Sequence, residues 1–207
     1  MKLPDPPLLV ISDRRQASRP LIEIATAAFA GGCRWFSLRE KDLPAAERRK
    51  VLAELVALGR RYDPTIMAHD DIDSVEATAA AGLHLPGGSD VAAARRRLPQ
   101  ALIGVSTHSA AEAAAQLRAG ADYVTLSPIF LTDSKPGYGP ALGLDSLASI
   151  ASAAPGPVIA LGGIRAANAA GCLAAGACGI AVMGEIMRAA DPESAVRRLL
   201  KSMSDHR

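Results

Sequence analysis

Short apolar runs alternate with longer stretches of helical repeat along most of the chain. The runs are LLVIS (8–12), WFSLR (35–39), TIMAH (65–69), GLHL (82–85), LIGVS (102–106), YVTLS (123–127), VIALG (158–162) and GIAVM (179–183). Continuous apolar runs of this length suit strands covered on both faces, as in a parallel sheet. Between them, RPLIEIATAAFAGG (19–32) sets Leu21, Ile24, Ala25 and Ala28 on one helical face and stops at Gly31 and Gly32. AAERRKVLAELVALGRR (45–61) repeats the pattern with Val51, Leu52, Leu55, Val56 and Leu58. SAAEAAAQLRAG (109–120) opens at Ser109, an N-cap residue type, and RAANAAGCLAAG (165–176) and ESAVRRLLKSM (193–203) complete the series. Alanine dominates these segments because it has the best helix propensity and lets a helix lie close to a sheet.

Eight strands alternating with helices in 207 residues predict an α/β fold, a single (β/α)8 TIM barrel forming one domain over 1–207. An open doubly wound sheet is the alternative. The polar residues favour the barrel, because nearly every run is followed at once by a polar or glycine-rich step: DRR, REK, HDD, HLPGGSD, STH, SPIFLTDSK, GG and GE, in chain order. A barrel gathers all eight on one rim, whereas an open sheet holds its outer ends far apart.

Composition narrows the function classes. The net charge is +2 and aromatics are only 3% of residues, so neither a nucleic-acid coat nor a stacking platform for single strands is expected. No run approaches the length of a membrane span, and MKLPDPPLLVISDRR lacks the pattern of a secretion signal, so a cytoplasmic protein is expected. The three cysteines, Cys33, Cys172 and Cys178, form no C-x-x-C pair and read as small buried residues in a reducing compartment.

The rim residues suggest anion chemistry. Arg39 and Lys41 in SLREK put a forked and a point cation side by side, suited to a phosphate or pyrophosphate; the alternative is a solvated pair bridged to Glu40. In HDD, Asp70 is a hard oxygen ligand for Mg2+, which takes one or two carboxylates plus substrate phosphate. Asp90 is the second carboxylate, or else the cap of VAAARRRL, as Asp71 is for its own helix. His69 and His84 end strands, where a hydrogen-bonded structural role competes with catalysis. Ser106 suits a donor to phosphate, and His108 a proton carrier; no nucleophile elbow accompanies them. The long loop after the sixth run carries Thr132, Ser134 and Lys135, with Gly137, Gly139 and Gly143 as hinges, and suits a lid over an anion. Gly162, Gly163 and Gly184 offer backbone N–H groups where barrels bind phosphate, beside a short helix.

LREK, DD, GVSTH, GADYVTLSPIFLTDSK, ALGGI and GIAVM together resemble the thiamine phosphate synthase / TenI family of small barrels, nearly end to end. The resemblance implies a transferase that joins a pyrimidine methyl diphosphate to a carboxylated thiazole phosphate, releasing pyrophosphate and CO2. It implies small phosphorylated substrates, Mg2+ on Asp70 with Asp90, and no protein nucleophile; a homo-oligomer stays open. Arg39, Lys41 and Lys135 would be catalytic. Ser37, Leu38, Glu40, His69, Ser106, Thr132, Asp133, Ser134, Gly162, Gly163, Met183 and Gly184 would join them in binding substrate. The chain departs from the synthase pattern at His69, where Asn is usual, at Gly184, where Ser is usual, and in LHLPGGSD, which is closer to the TenI branch. That branch includes a thiazole tautomerase whose base is a His at the position of Pro128 here, and proline cannot transfer a proton. A tautomerase-like enzyme and a non-catalytic thiazole-phosphate or thiamine-phosphate binder are the other readings.

Overall fold

The computed structural model describes residues 2–132 and 140–204. Eight parallel strands close into a barrel in chain order: β1 (Leu8–Ile11), β2 (Trp35–Leu38), β3 (Thr65–His69), β4 (Gly82–Leu85), β5 (Leu102–Thr107), β6 (Tyr123–Leu126), β7 (Val158–Leu161) and β8 (Gly179–Val182). The ring shuts where Leu9 of β1 pairs with Ala181 of β8, which disposes of the open-sheet alternative. Each expected strand is present, with ends moved by at most one residue.

Most of the outer layer consists of α1 (Leu21–Ala30), α2 (Ala45–Gly59), α3 (Ile72–Thr78), α4 (Val91–Arg97), α5 (Ala110–Arg118), α6 (Gly143–Ala153) and α7 (Ala166–Ala174). A four-residue helix, α8 (Gly184–Met187), follows β8, and α9 (Pro192–Ser204) packs against both α7 and α1 to complete the circle. Side-chain caps set several helix starts: Asp71 accepts from Ser74 N at 3.1 Å, Asp90 from Ala93 N at 2.9 Å and Ser109 from Glu112 N at 3.2 Å.

Strand alternation divides the core in two. Phe36, Leu38, Ile103, Val105, Val124 and Ile180 face the helices and belong to the large outer cluster. Leu9, Ile11, Trp35, Met67, Leu102, Tyr123, Ile159 and Ala181 fill the barrel itself. The interior is a packed plug, so any ligand must sit above it at the C-terminal rim. Cys33 and Cys172 are buried as expected, but Cys178 is exposed: it lies in the turn ahead of β8, outside both core layers.

Candidate active site

The top of the plug is polar. Trp35 Nε1–H donates to Met67 Sδ at 2.8 Å, and the Tyr123 hydroxyl lies 3.5 Å from the same sulfur. That hydroxyl is also 2.9 Å from His84 Nδ1, and His84 Nε2 is 3.0 Å from Ser106 Oγ. His69 stacks on His84 with ring centroids 5.4 Å apart. Burial, helped by the charge of Arg39, lowers the His84 pKa to about 4, so its imidazole is neutral near pH 7. A neutral ring has one proton for two partners. With that proton on Nε2, His84 accepts from Tyr123 and donates to Ser106, which leaves the serine's own proton directed at the cavity.

The β1 and β2 loops are clamped by a buried carboxylate. Glu40 accepts from Ser12 Oγ at 2.6 Å and from the Arg14 backbone N–H at 3.0 and 3.2 Å. Ser12 Oγ in turn accepts from Arg39 N at 2.9 Å. This network fixes the backbone on which Arg39 and Lys41 are mounted. Burial pulls the Arg39 guanidinium below its usual pKa, against the pull of Asp13 and Glu40, yet an arginine so placed stays charged.

At β7 and β8 the wall is backbone and guanidinium. Gly162 and Gly163 adopt φ of +98° and +63°, a region favouring glycine. A Cβ on Gly163 would also lie 2.4 Å from Leu131 O, and one on Gly162 2.8 Å from the Pro128 Cα. The pair thus seats the segment following β6, with Phe130 N donating to Gly162 O at 3.0 Å. Across from them, His108 donates from Nδ1 to Ser127 O at 2.8 Å, which in the neutral ring leaves Nε2 as an acceptor.

These walls enclose a cavity of about 250 Å³ at the rim. Of the residues expected from sequence to serve the site, Arg39, Lys41, His69, Ser106, Thr132, Gly162, Gly163, Met183 and Gly184 line it together. Others stand elsewhere. Leu38 is packed in the outer core, turned away from the cavity by strand alternation. Glu40 is absorbed in the clamp. Ser37 is buried in β2, where its hydroxyl has no hydrogen-bond partner among the described residues. Asp70 follows β3 with φ of +53°, exposed on the rim beside the cavity wall, its N–H donating to His84 O at 2.9 Å. Asp90 is an exposed helix cap whose Oδ1 accepts from Ala93 N. Asp133, Ser134 and Lys135 lie outside the described residues.

His84, Pro128, Glu185 and Arg188 also line the cavity but were not assigned to the site from sequence. Alternation along GLHL points His84 inward, a signal present in the sequence. Arg188 carried no such signal.

The same stretch of chain has known relatives. Residues 8–186 match the family described as thiamine monophosphate synthase. The chain is 40% identical over 194 residues to a thiamine-phosphate synthase of Roseiflexus sp. (strain RS-1), covering 92% of this chain and 82% of that one. It is 39% identical to the thiamine-phosphate synthase of Moorella thermoacetica, covering 92% of each. Among solved structures, thiamine phosphate pyrophosphorylase from Pyrococcus furiosus superposes with a TM-score of 0.87 at 33% identity, over 96% of this chain and 95% of that one. The chain belongs to the thiamine monophosphate synthase family.

Proposed function

We propose, from this family membership and the geometry of the rim, that the chain is a thiamine phosphate synthase. It joins 4-amino-2-methyl-5-(diphosphomethyl)pyrimidine to carboxythiazole phosphate. The bond between the pyrimidine methylene carbon and the diphosphate oxygen breaks, its electron pair leaving with pyrophosphate. The thiazole nitrogen donates its pair to that carbon, and the thiazole carboxylate departs as CO2, leaving the bonding pair on the ring carbon, which takes up a proton from solvent. The observation that carries the reading is one cavity with two anion-binding arcs: Arg39, Lys41 and Ser106 on one, and the Gly162, Gly163 and Gly184 backbone on the other.

On this reading Arg39 and Lys41 take the diphosphate. Their charge stabilises the negative charge that builds on the leaving group, the kind of preorganised electrostatic help that such a reaction needs most. Ser106, held 3.0 Å from His84 Nε2, adds a hydrogen bond to a diphosphate oxygen. The β7 and β8 arc holds the thiazole phosphate. Thr132 lines the cavity beside them, and Asp133, Ser134 and Lys135, expected from sequence to bind substrate, lie outside the described residues. No side chain has to act as a nucleophile.

Asp70 suits a Mg2+ ligand: it is an exposed carboxylate on the rim, and Mg2+ binds through one or two carboxylates with substrate phosphate completing the shell. Bound there, Mg2+ would neutralise diphosphate charge. Asp90, the second carboxylate expected from sequence, caps α4 through Oδ1 and has a second oxygen to offer a cation.

The test is pyrophosphate release with both substrates, with and without Mg2+. Release that requires both substrates and falls on chelation is expected. Binding of both substrates without release would refute the synthase reading. Interconversion of thiazole isomers is not expected, since Pro128 in the cavity wall has no proton to exchange.

A further inference from the structure

The environment of Gly184 is unusual. A Cβ built on it would lie 2.3 Å from Arg188 Nη2, 2.4 Å from Nη1 and 2.5 Å from Cζ. The guanidinium therefore occupies the space a side chain at 184 would fill. Helix geometry explains this: the Cα–Cβ bond tilts toward the helix N-terminus, so the side chain at i+4 lies over residue i. Here i is a glycine, and the arginine reaches through the gap to the cavity wall.

The guanidinium is also held in place. Arg188 Nη1 donates to Gln16 Oε1, and Gln16 Nε2 donates to Asp13 Oδ2 at 2.9 Å. Asp13 is buried at the end of β1. Burial opposes its ionisation, but hydrogen bonds from Gln16 and Arg15 keep its pKa below the usual value. A buried carboxylate thus orients a glutamine, and the glutamine orients the arginine.

The arc around Gly162, Gly163 and Gly184 has two guanidinium groups beside it, Arg165 at the start of α7 and Arg188 just after α8. Arg39 and Lys41 follow β2 and are assigned to the diphosphate, while Glu185 puts a carboxylate on the β8 side of the cavity. We propose that Arg188 binds the phosphate of the thiazole substrate, and that the absence of a side chain at Gly184 is what admits its guanidinium to the site. This rests on the synthase reading for the identity of the ligand. Arg188 is a substrate-binding residue on this account, and Gly184 acts by leaving room.

The experiment is a mutant cycle read by calorimetric binding of carboxythiazole phosphate and by steady-state kinetics. Arg188 is exposed and the atoms nearest a Cβ at 184 are the far end of a flexible side chain, so both variants should fold, as their melting temperatures will report. Arg188→Ala should weaken thiazole-phosphate binding about 10- to 100-fold, the range for a lost charge-assisted hydrogen bond. The KM for the pyrimidine diphosphate should stay within about twofold. Gly184→Ala should reproduce this loss by evicting the guanidinium, and the double variant should be no worse than the weaker single, because both act on one interaction. Arg188→Lys should fall between, keeping charge without the forked donors. Unchanged binding in Arg188→Ala, or additive losses in the double variant, would overturn the proposal and leave the synthase reading intact. Wild-type protein that binds the thiazole phosphate but condenses nothing would sink the synthase reading while the Arg188 result stands. Wild-type protein that binds no thiazole phosphate would end both.

Discussion

Gly104 sits in the middle of β5, facing the barrel interior, and Gly104→Ala is the sharpest test of how the polar plug is packed. The added methyl would lie 2.0 Å from Tyr123 Cζ and 2.4 Å from its Cε1 and hydroxyl. Carbon atoms rest about 3.5–4.0 Å apart, so the ring has to move by roughly 1.5–2 Å. It has little freedom to do so: Trp35 packs edge-on at 4.8 Å between ring centroids, and His84 Nδ1 is 2.9 Å from the hydroxyl. Overpacking a core costs about 1–3 kcal/mol. Pulling the hydroxyl from the buried imidazole adds about 1–3 kcal/mol for a polar group left unpaired. The expected loss is therefore about 2–6 kcal/mol, a large share of the roughly 5–15 kcal/mol typical of a domain. Urea unfolding followed by far-UV circular dichroism gives the value directly. The melting temperature should fall by about 4–24 °C, taking roughly 2–4 °C per kcal/mol for a chain of this size. Adding Tyr123→Leu should recover part of the loss, so the double variant is more stable than the sum of the two singles implies. A Gly104→Ala protein within about 1 kcal/mol of wild type, or strict additivity with Tyr123→Leu, would refute the packing account.

Three further outcomes are expected. The pKa of His84 is lowered to about 4 in the folded state. The unfolded chain therefore takes up this proton first, so His84's contribution is full above about pH 6.5 and is lost progressively down to about pH 4. The loss totals roughly 3 kcal/mol; His84→Gln should flatten the wild-type stability profile in that window, and an equal slope in both proteins would count against a buried neutral imidazole. Glu40→Ala should cost about 2–4 kcal/mol by releasing Ser12 and the Arg14 N–H. It should also raise the KM for the pyrimidine diphosphate by loosening the Arg39 backbone; an unchanged KM would show that the clamp does not position that site. Asp122 accepts from Ile103 N at 2.7 Å and Arg95 at 2.6 Å, just ahead of β6 and outside the cavity. Asp122→Ala should lower stability by about 1–3 kcal/mol, seen in denaturant melts, with kcat unchanged; a drop in kcat at full folding would contradict a purely structural role.

The barrel was readable because its signals are local. Each strand is a short apolar run, each helix an Ala-rich repeat, and the caps at Asp71 and Ser109 are residue types whose side chains reach their own backbone two or three positions on. Most of the cavity wall was readable for the same reason. Once the strands close into a ring, a residue just past a strand end must lie at the rim, as Arg39, Ser106 and Gly162 do. The exceptions are residues whose chemistry suits two roles. Asp90 can bind a cation or cap a helix, and its Oδ1 accepts from the N–H of Ala93. Glu40 has the charge to meet a substrate, but Ser12 and Arg14, more than 25 positions away, claim both of its oxygens.

Period and polarity along the chain are enough to establish eight βα units, their order, and a cationic rim, because those properties depend on neighbours within a turn or a strand. The Tyr123–His84–Ser106 chain, the clamp on Glu40 and the Asp13–Gln16–Arg188 relay depend on atoms brought together from distant strands. Gly184 shows the difference most plainly. In the one-dimensional chain it is a missing side chain just past the eighth strand. In three dimensions that vacancy is filled by a guanidinium whose position depends on helix geometry and on a carboxylate at the far end of the sequence.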